Sequence, residues 1–190
     1  MVTLRLILFV GLIFHKLVWE LMKRRGGVPQ AKQECSKRPW QHLVKFFKTM
    51  VLCFLAVQTL FLDLFPISDQ PTVLTIIGTG IFFAGLATAL VGRLQLGKNW
   101  VDLEDYQLLP GQSLVTHGIY RYIRHPIYTG DILLLVGLEL ALNSWLVVAV
   151  FILLLLIIRQ ALAEEALLAR AFPDYNAYRA RTHRFIPFLI

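Results

Sequence analysis

The residues most capable of chemistry lie between His117 and Gly130 and in the adjacent carboxylates Glu164 and Glu165. The first segment, His117-Gly118-Ile119-Tyr120-Arg121-Tyr122-Ile123-Arg124-His125-Pro126-Ile127-Tyr128-Thr129-Gly130, combines hydrogen-bond donors, aromatic faces and a helix start at Pro126. Such a set can hold a polar ligand. It can equally be the Tyr/Arg/His belt that forms where membrane helices meet water. A Glu-Glu pair alone is a weak pattern, but this one follows the last apolar run by about one and a half turns, so at least one carboxylate should face back toward the loop. There it could take a ligand's ammonium or hydroxyl groups. Ionisable groups at bilayer depth cost about 2.5–3.5 kcal/mol on insertion scales, so they usually face a partner or a polar cavity.

The elements that must position these groups are hydrophobic helices. The chain has 190 residues, 57% of them hydrophobic, and a mean hydropathy of +0.63, too apolar for a soluble domain of that length. Crossing a hydrocarbon core takes roughly 20 mostly apolar residues. Runs at about 3–22, 47–65, 73–91, 127–142 and 145–158 predict an all-α, polytopic membrane protein with about five transmembrane helices. The last two runs are short and are separated by Asn143–Ser144, which predicts a tight hairpin. After Ile158 the same helix should emerge into water through Arg159, Glu164, Glu165 and Arg170, until Pro173 ends or kinks it. In the third run Gly78, Gly80 and Gly85, with Ala84, Ala87 and Ala89, offer small surfaces for a close helix neighbour.

A net charge of +7 could suggest nucleic acid, but the basic residues sit in short stretches between hydrophobic runs and report topology instead, so no nucleic-acid partner is expected. The connector from Lys23 to Lys48 holds many Lys and Arg against the single acid Glu34, which places it in the cytoplasm and the N-terminus outside. The turn with Pro66, Asp69 and Pro71 then lies outside, and the polar 93–126 stretch and the C-terminal tail lie inside. The first run lacks a small-residue cleavage site and reads as a retained helix. Cys35 and Cys53 have neither metal-ligand nor disulfide spacing, so no metal site is expected. The sequence divides into residues 1–92, three helices with a basic connector, and residues 93–190, which carry the polar residues.

These residues, in this order, resemble the isoprenylcysteine carboxyl methyltransferase family of integral membrane methyltransferases and its phospholipid methyltransferase relatives. The resemblance covers about residues 92–188. It is carried by Leu96-Gly97-Lys98-Asn99-Trp100, Leu114-Val115-Thr116-His117-Gly118-Ile119-Tyr120, Arg124-His125-Pro126-Ile127-Tyr128-Thr129-Gly130, Glu164-Glu165, and Phe172-Pro173-Asp174-Tyr175 with Tyr178. It implies S-adenosylmethionine as methyl donor in a cytosol-facing pocket without a Rossmann fold, and a lipophilic small molecule or prenylated substrate arriving from the bilayer. By that similarity Leu114, Val115, His117, Gly118, Tyr120, His125, Pro126, Tyr128, Glu164 and Glu165 line the cofactor pocket, with the His117 region near the adenosyl part and a carboxylate near its polar groups. Tyr175 and Tyr178 close the pocket from the tail.

Methyl transfer from a sulfonium to an in-line nucleophile mainly demands positioning and exclusion of water. A carboxylate nucleophile is already ionised, and an arginine could orient it bidentately; Arg181 and Arg184 in the tail come first, Arg124 next. A contact to lipid phosphate is the alternative role for a tail arginine. The chain departs from the family pattern at Pro173, where a glycine is usual, and its first 90 residues match only in being hydrophobic. Two rival readings remain. One is a sterol-type double-bond reductase using NADPH, which Gly130–Asp131 after His125-Pro126-x-Tyr128 resembles, although that pattern carries asparagine where Ile127 stands. The other is a non-catalytic membrane protein that clamps anionic lipid through its basic connector.

Overall fold

The computed structural model describes residues 2–25, 39–100 and 111–186. The connector lysines Lys32 and Lys37, Arg38, Cys35 and the end of the tail from residue 187 lie outside the described residues, as do residues 101–110 of the 93–126 stretch. Among the described residues the main helices are α1 (Val2–Arg25), α2 (Pro39–Phe61), α3 (Thr72–Leu96), α4 (Pro126–Ala141) and α5 (Val147–Ala171), followed by the six-residue α6 (Tyr175–Ala180). Proline sets several starts: Pro39 and Pro126 occupy first-turn positions, where the missing N–H costs nothing. Gly97 ends α3 in a left-handed conformation, φ 55°, its N–H bonded to the Arg93 carbonyl.

Among the described residues four helices, α1, α2, α3 and α5, are long and apolar enough to cross a membrane. α4 is the short one, with 16 residues that cover about 24 Å. α5 runs unbroken for 25 residues, the expected continuation past Ile158, because the Ala- and Leu-rich stretch keeps helical propensity after the apolar run ends; of the two final runs only α4 is short. Two boundaries differ from the sequence expectation. α2 begins at Pro39, inside the stretch expected to be the basic connector. α3 continues to Leu96, which moves Arg93 from the expected loop into the helix's last turn. There it is buried, donates from Nη1 to the Gly97 carbonyl at 2.8 Å and lies 4.5 Å over the Trp100 ring.

α3 and α4 run antiparallel at backbone contact. A Cβ added at Gly78 would sit 2.3 Å from the Ala141 nitrogen, one at Gly85 2.3 Å from that of Leu134, and one at Gly137 2.2 Å from that of Phe82. Without a hydrophobic drive between helices in lipid, such close approach is what dispersion and weak polar contacts require. Gly80 meets nothing within 4 Å, so of the three glycines expected to pack, it alone faces open space. α1 lays Leu8 and Leu12 against Phe82, Leu86, Leu134 and Leu138 to form the core. Outward, Val10, Ile13 and Phe14 of α1, Phe46, Phe47 and Phe54 of α2 and Phe151, Ile152, Leu155 and Leu156 of α5 are exposed, as a bundle surrounded by hydrocarbon requires.

The bundle has two chemically different ends. At one, buried Arg5 donates to the Gln58, Thr59 and Leu62 carbonyls and pairs with Asp63, satisfying the exposed C-terminus of α2. Beside it the α2–α3 turn is stitched to the α4–α5 turn by Trp145 N to Phe65 O at 2.8 Å and by Asn143 Nδ2 to Ser68 O at 2.7 Å. At the other end, α3 stops, α4 begins, and the polar end of α5 meets the tail.

Candidate functional site

Pro126 starts α4 and thereby fixes two neighbours: His125, which precedes it, and Tyr128, in the first turn. α5 reaches the same level with Glu164 and Glu165. The tail completes the set by running beside residues 122–125. His183 N bonds to Tyr122 O at 2.9 Å, Arg124 N to His183 O at 2.8 Å and His125 N to Arg184 O at 3.1 Å, a short parallel bridge between Ile123 and His183. Thr129 Oγ1 donates to the Phe185 carbonyl at 3.1 Å. Loop, helix start and tail are thus one hydrogen-bonded unit.

The two carboxylates have different environments. Glu165 is 4% exposed and receives Arg124 Nε at 3.0 Å, Arg184 Nε at 3.0 Å and Arg184 Nη2 at 3.1 Å. Its Oε1 also lies 3.3 Å from His125 Nε2. Such charge-assisted, forked contacts fill its acceptor directions, and they hold the Arg184 guanidinium still more firmly protonated. Glu165 is therefore a clasp between α5, the loop and the tail. Glu164 accepts a single hydroxyl, that of Tyr128, at 3.1 Å, stands 3.7 Å from His125 Nδ1, and keeps 43% of its side chain exposed. It is the carboxylate with capacity for a ligand.

Three tyrosines close the site from the other side. Tyr120, buried in a 3-10 turn (Gly118–Arg121), donates to the Gly92 carbonyl at 3.3 Å, and burial raises its phenol pKa. Tyr178 donates to the Tyr120 carbonyl at 2.8 Å, and burial pushes its phenol up to about 12. Tyr175 packs edge-on to Tyr178, centroids 5.9 Å apart. It is 1% exposed, and its hydroxyl has no hydrogen-bond partner among the described residues. A buried hydroxyl without a partner costs about 1–3 kcal/mol, which a polar ligand group would relieve.

His125, Pro126, Tyr128, Glu164, Glu165, Tyr120, Tyr175 and Tyr178 come together at this end of the bundle. Leu114 is half-buried and Val115 buried on the approach, while His117 is exposed at the mouth of the 3-10 turn. Gly118 is required there by φ 60° and by the Gln95 side chain, 2.2 Å from where a Cβ would be. Arg124 and Arg184 hold Glu165, whereas Arg181 is exposed at the end of α6. Reading the sequence missed Gln95, whose Oε1 accepts Ile119 N at 2.7 Å, and Thr182, whose carbonyl and hydroxyl both receive Arg124. Neither residue type carries a signal; only the fold brings them near.

A family model described as phospholipid methyltransferase matches residues 73–175, more than half of the chain. The chain belongs to the phospholipid methyltransferase family. The match begins in α3 and ends at Tyr175, enclosing the Gly-packed helix pair and both carboxylates. Among curated relatives, the cobalt-zinc-cadmium resistance protein CzcN of Cupriavidus metallidurans is 36% identical over 108 residues, 54% of this chain and 46% of its own length. The protein-S-isoprenylcysteine O-methyltransferase of Schizosaccharomyces pombe is 35% identical over 99 residues, 50% and 42%. A probable protein-S-isoprenylcysteine O-methyltransferase of Oryza sativa is 26% identical over 119 residues, 57% and 62%. The chain therefore spans about half the length of the curated relatives it matches. Among solved structures, the eukaryotic intramembrane Ras methyltransferase ICMT superposes with a TM-score of 0.64 at 20% identity, covering 98% of this chain and 68% of that one; the two share a fold. With four membrane-capable helices, this family member is a multi-pass membrane protein, and the isoprenylcysteine methyltransferase resemblance read from its motifs holds.

Proposed function

We propose that this chain is a membrane methyltransferase that takes its methyl group from S-adenosylmethionine, bound on the cytoplasmic side, and passes it to a lipophilic acceptor arriving from the bilayer. The observation that carries this reading is the convergence of His125, Tyr128 and the half-exposed Glu164 at one end of the bundle, inside the family-matched segment. The donor set fits the ligand. An exposed carboxylate suits an ammonium group, and the partnerless Tyr175 hydroxyl suits a polar group brought into a buried place. When bound, the sulfonium supplies an electrophilic methyl carbon.

The chain's own residues then have separable tasks. Glu164 takes the cationic amino end, oriented by Tyr128. The turn around His117, Gly118 and Tyr120, with Leu114 and Val115, takes the adenosyl part. Tyr178 and Phe185, both buried, exclude water, which strengthens each polar contact inside. Glu165 acts through others: by clasping Arg124, Arg184 and His125 it keeps the tail docked over the cofactor. An acceptor carboxylate would have to draw Arg124 or Arg184 from Glu165, or use Arg181. The cytoplasmic orientation is supported by charge: Lys45 and Lys48 of α2, Lys98, Arg121, Arg170 and Arg179 all sit toward the His125 end, as the positive-inside rule expects.

Calorimetry on detergent-purified protein with S-adenosylmethionine, S-adenosylhomocysteine and NADPH tests the reading. Heat from the first two and none from the third is expected. Binding of NADPH alone would transfer the site to the reductase reading, and no binding of any would leave the lipid-clamp reading.

A further inference from the structure

An ionisable pair outside this site joins α1, a helix long and apolar enough to cross a membrane, to α4. His15 of α1 places Nε2 3.0 Å from Oδ1 of Asp131 on α4, and Trp19 stacks on the imidazole with centroids 4.3 Å apart at 26°. The pair continues the two stripes that build the core, Leu8 and Leu12 on α1 and Leu138 and Leu134 on α4. Leucines at 15 and 131 would also join the helices, without the penalty of about 2.5–3.5 kcal/mol that an acid or base carries at bilayer depth. Nor is the pair sealed as a strut would be: the side chains keep 21% and 35% of their surface. Asp131 stands three residues beyond Tyr128, about 4.5 Å further along α4 and about 60° around it. That is the side of the Tyr128–Glu164 contact away from the start of α4, from which, on the methyltransferase reading, a lipophilic acceptor would arrive.

We propose that His15 and Asp131 are the proton-accepting dyad of the acceptor site, serving an acceptor whose nucleophile has a proton to lose. This rests on the methyltransferase reading. With Nε2–H donated to Asp131, the imidazole carries its lone pair on Nδ1. The acceptor's nitrogen or oxygen bonds to the methyl carbon, the carbon–sulfur bond breaks with its electron pair left on sulfur, and the acceptor's proton moves to Nδ1 of His15. Asp131 fixes the tautomer and balances the imidazolium. A carboxylate acceptor, already ionised, needs no such base. The dyad also makes α1, which precedes the family-matched residues 73–175, a contributor to chemistry. Among charged neighbours, α3 brings no ionisable residue before Arg93, which bonds Gly97. α2 brings exposed His42, Lys45 and Lys48, and α1 brings exposed Lys16 and Glu20. On α4, Tyr128 bonds Glu164 and Glu139 receives Gln58.

The test uses the full chain in phosphatidylcholine vesicles with S-adenosylmethionine and three probes: a long-chain alkylamine, a long-chain alkylphenol and an N-acetyl farnesylcysteine carboxylate. Faster transfer to the amine or phenol is expected. His15→Gln should lower kcat on that probe about 100-fold, the low end of general-base effects, with S-adenosylhomocysteine affinity unchanged by calorimetry. Asp131→Asn, which retains a hydrogen-bonding side chain and serves if His15→Gln fails to insert, should lower kcat as well. Nitrogen-15 NMR of histidine-labelled protein should show His15 as the Nε2–H tautomer, lost in Asp131→Asn. The proposal is overturned by unchanged kcat in both variants, by a wild-type Nδ1–H tautomer, by preference for the carboxylate, or by transfer to none of the probes. Absence of S-adenosylhomocysteine binding to the wild type overturns the methyltransferase reading instead.

Discussion

Replacing Glu165 by glutamine separates the clasp from the carboxylate proposed to bind the cofactor. Glu165 is 4% exposed and gathers Arg124, Arg184 and His125. Removing its charge leaves two guanidinium groups side by side, 8% and 18% exposed, with one neutral amide oxygen between them. Breaking a buried ion pair costs about 3–5 kcal/mol. If that loss falls on docking of the tail, the docked-to-undocked ratio drops by roughly two to three and a half orders of magnitude. Cofactor affinity should fall in step, because Tyr175 and Tyr178 leave with the tail. Glu164→Gln has the opposite profile. It removes the charge but leaves an amide oxygen for the Tyr128 hydroxyl, 3.1 Å from the carboxylate, and should leave the tail in place while weakening S-adenosylhomocysteine about 10-fold or more, the scale of a charge-assisted hydrogen bond. Hydrogen exchange at residues 175–186 reads docking, and calorimetry reads affinity. Unchanged exchange in Glu165→Gln, or an undocked tail in Glu164→Gln, would refute the division of labour between the two carboxylates.

Further outcomes follow from the packing. Gly137→Ala drives a methyl into the Phe82 backbone and should destabilise the α3–α4 pair by about 1–3 kcal/mol, read as a lower midpoint of thermal unfolding in detergent. Gly80→Ala, with nothing within 4 Å, should leave that midpoint unchanged or slightly higher. Tyr178→Phe removes the hydroxyl bonded to Tyr120 O, and the stranded buried carbonyl should cost about 1–3 kcal/mol. Because the Tyr178 phenol is pushed up to about 12 from an ordinary value near 10, the folded state keeps its proton where the unfolded state loses one. Stability contributed by this group should be full below pH 10 and decline from pH 10 to about 12, a decline that Tyr178→Phe should flatten in alkaline unfolding curves.

Much of this arrangement was legible in the residues. Helix order came from apolar run length, and Pro126 and Pro173 marked a start and an end where backbone chemistry punctuates the chain, whereas the start of α2 at Pro39 and the end of α3 at Gly97 were not read. The site's residue types were legible because Arg124, His125, Tyr128 and the Glu pair are costly to keep near hydrocarbon. Their partners were not. No local pattern distinguishes Glu164 from Glu165, which differ only in which side of α5 meets the tail. Nor does one distinguish Gly80 from Gly78 and Gly85, since that depends on the rotation of α3 against α4. Arg93 was misplaced because an arginine after an apolar run reads as a helix exit, whereas here the following Gly97 and Trp100 supply a carbonyl and an aromatic face that keep it inside.

The central claim is tested most directly by following a labelled methyl group. Purified protein in lipid vesicles, given S-adenosylmethionine labelled in its methyl carbon, should transfer label into the organic-extractable lipophilic fraction, and Glu164→Gln should reduce that transfer about 10-fold or more at limiting cofactor. Label that stays wholly in the aqueous donor across amine, hydroxyl and carboxylate lipids, with no difference between wild type and Glu164→Gln, would contradict the account.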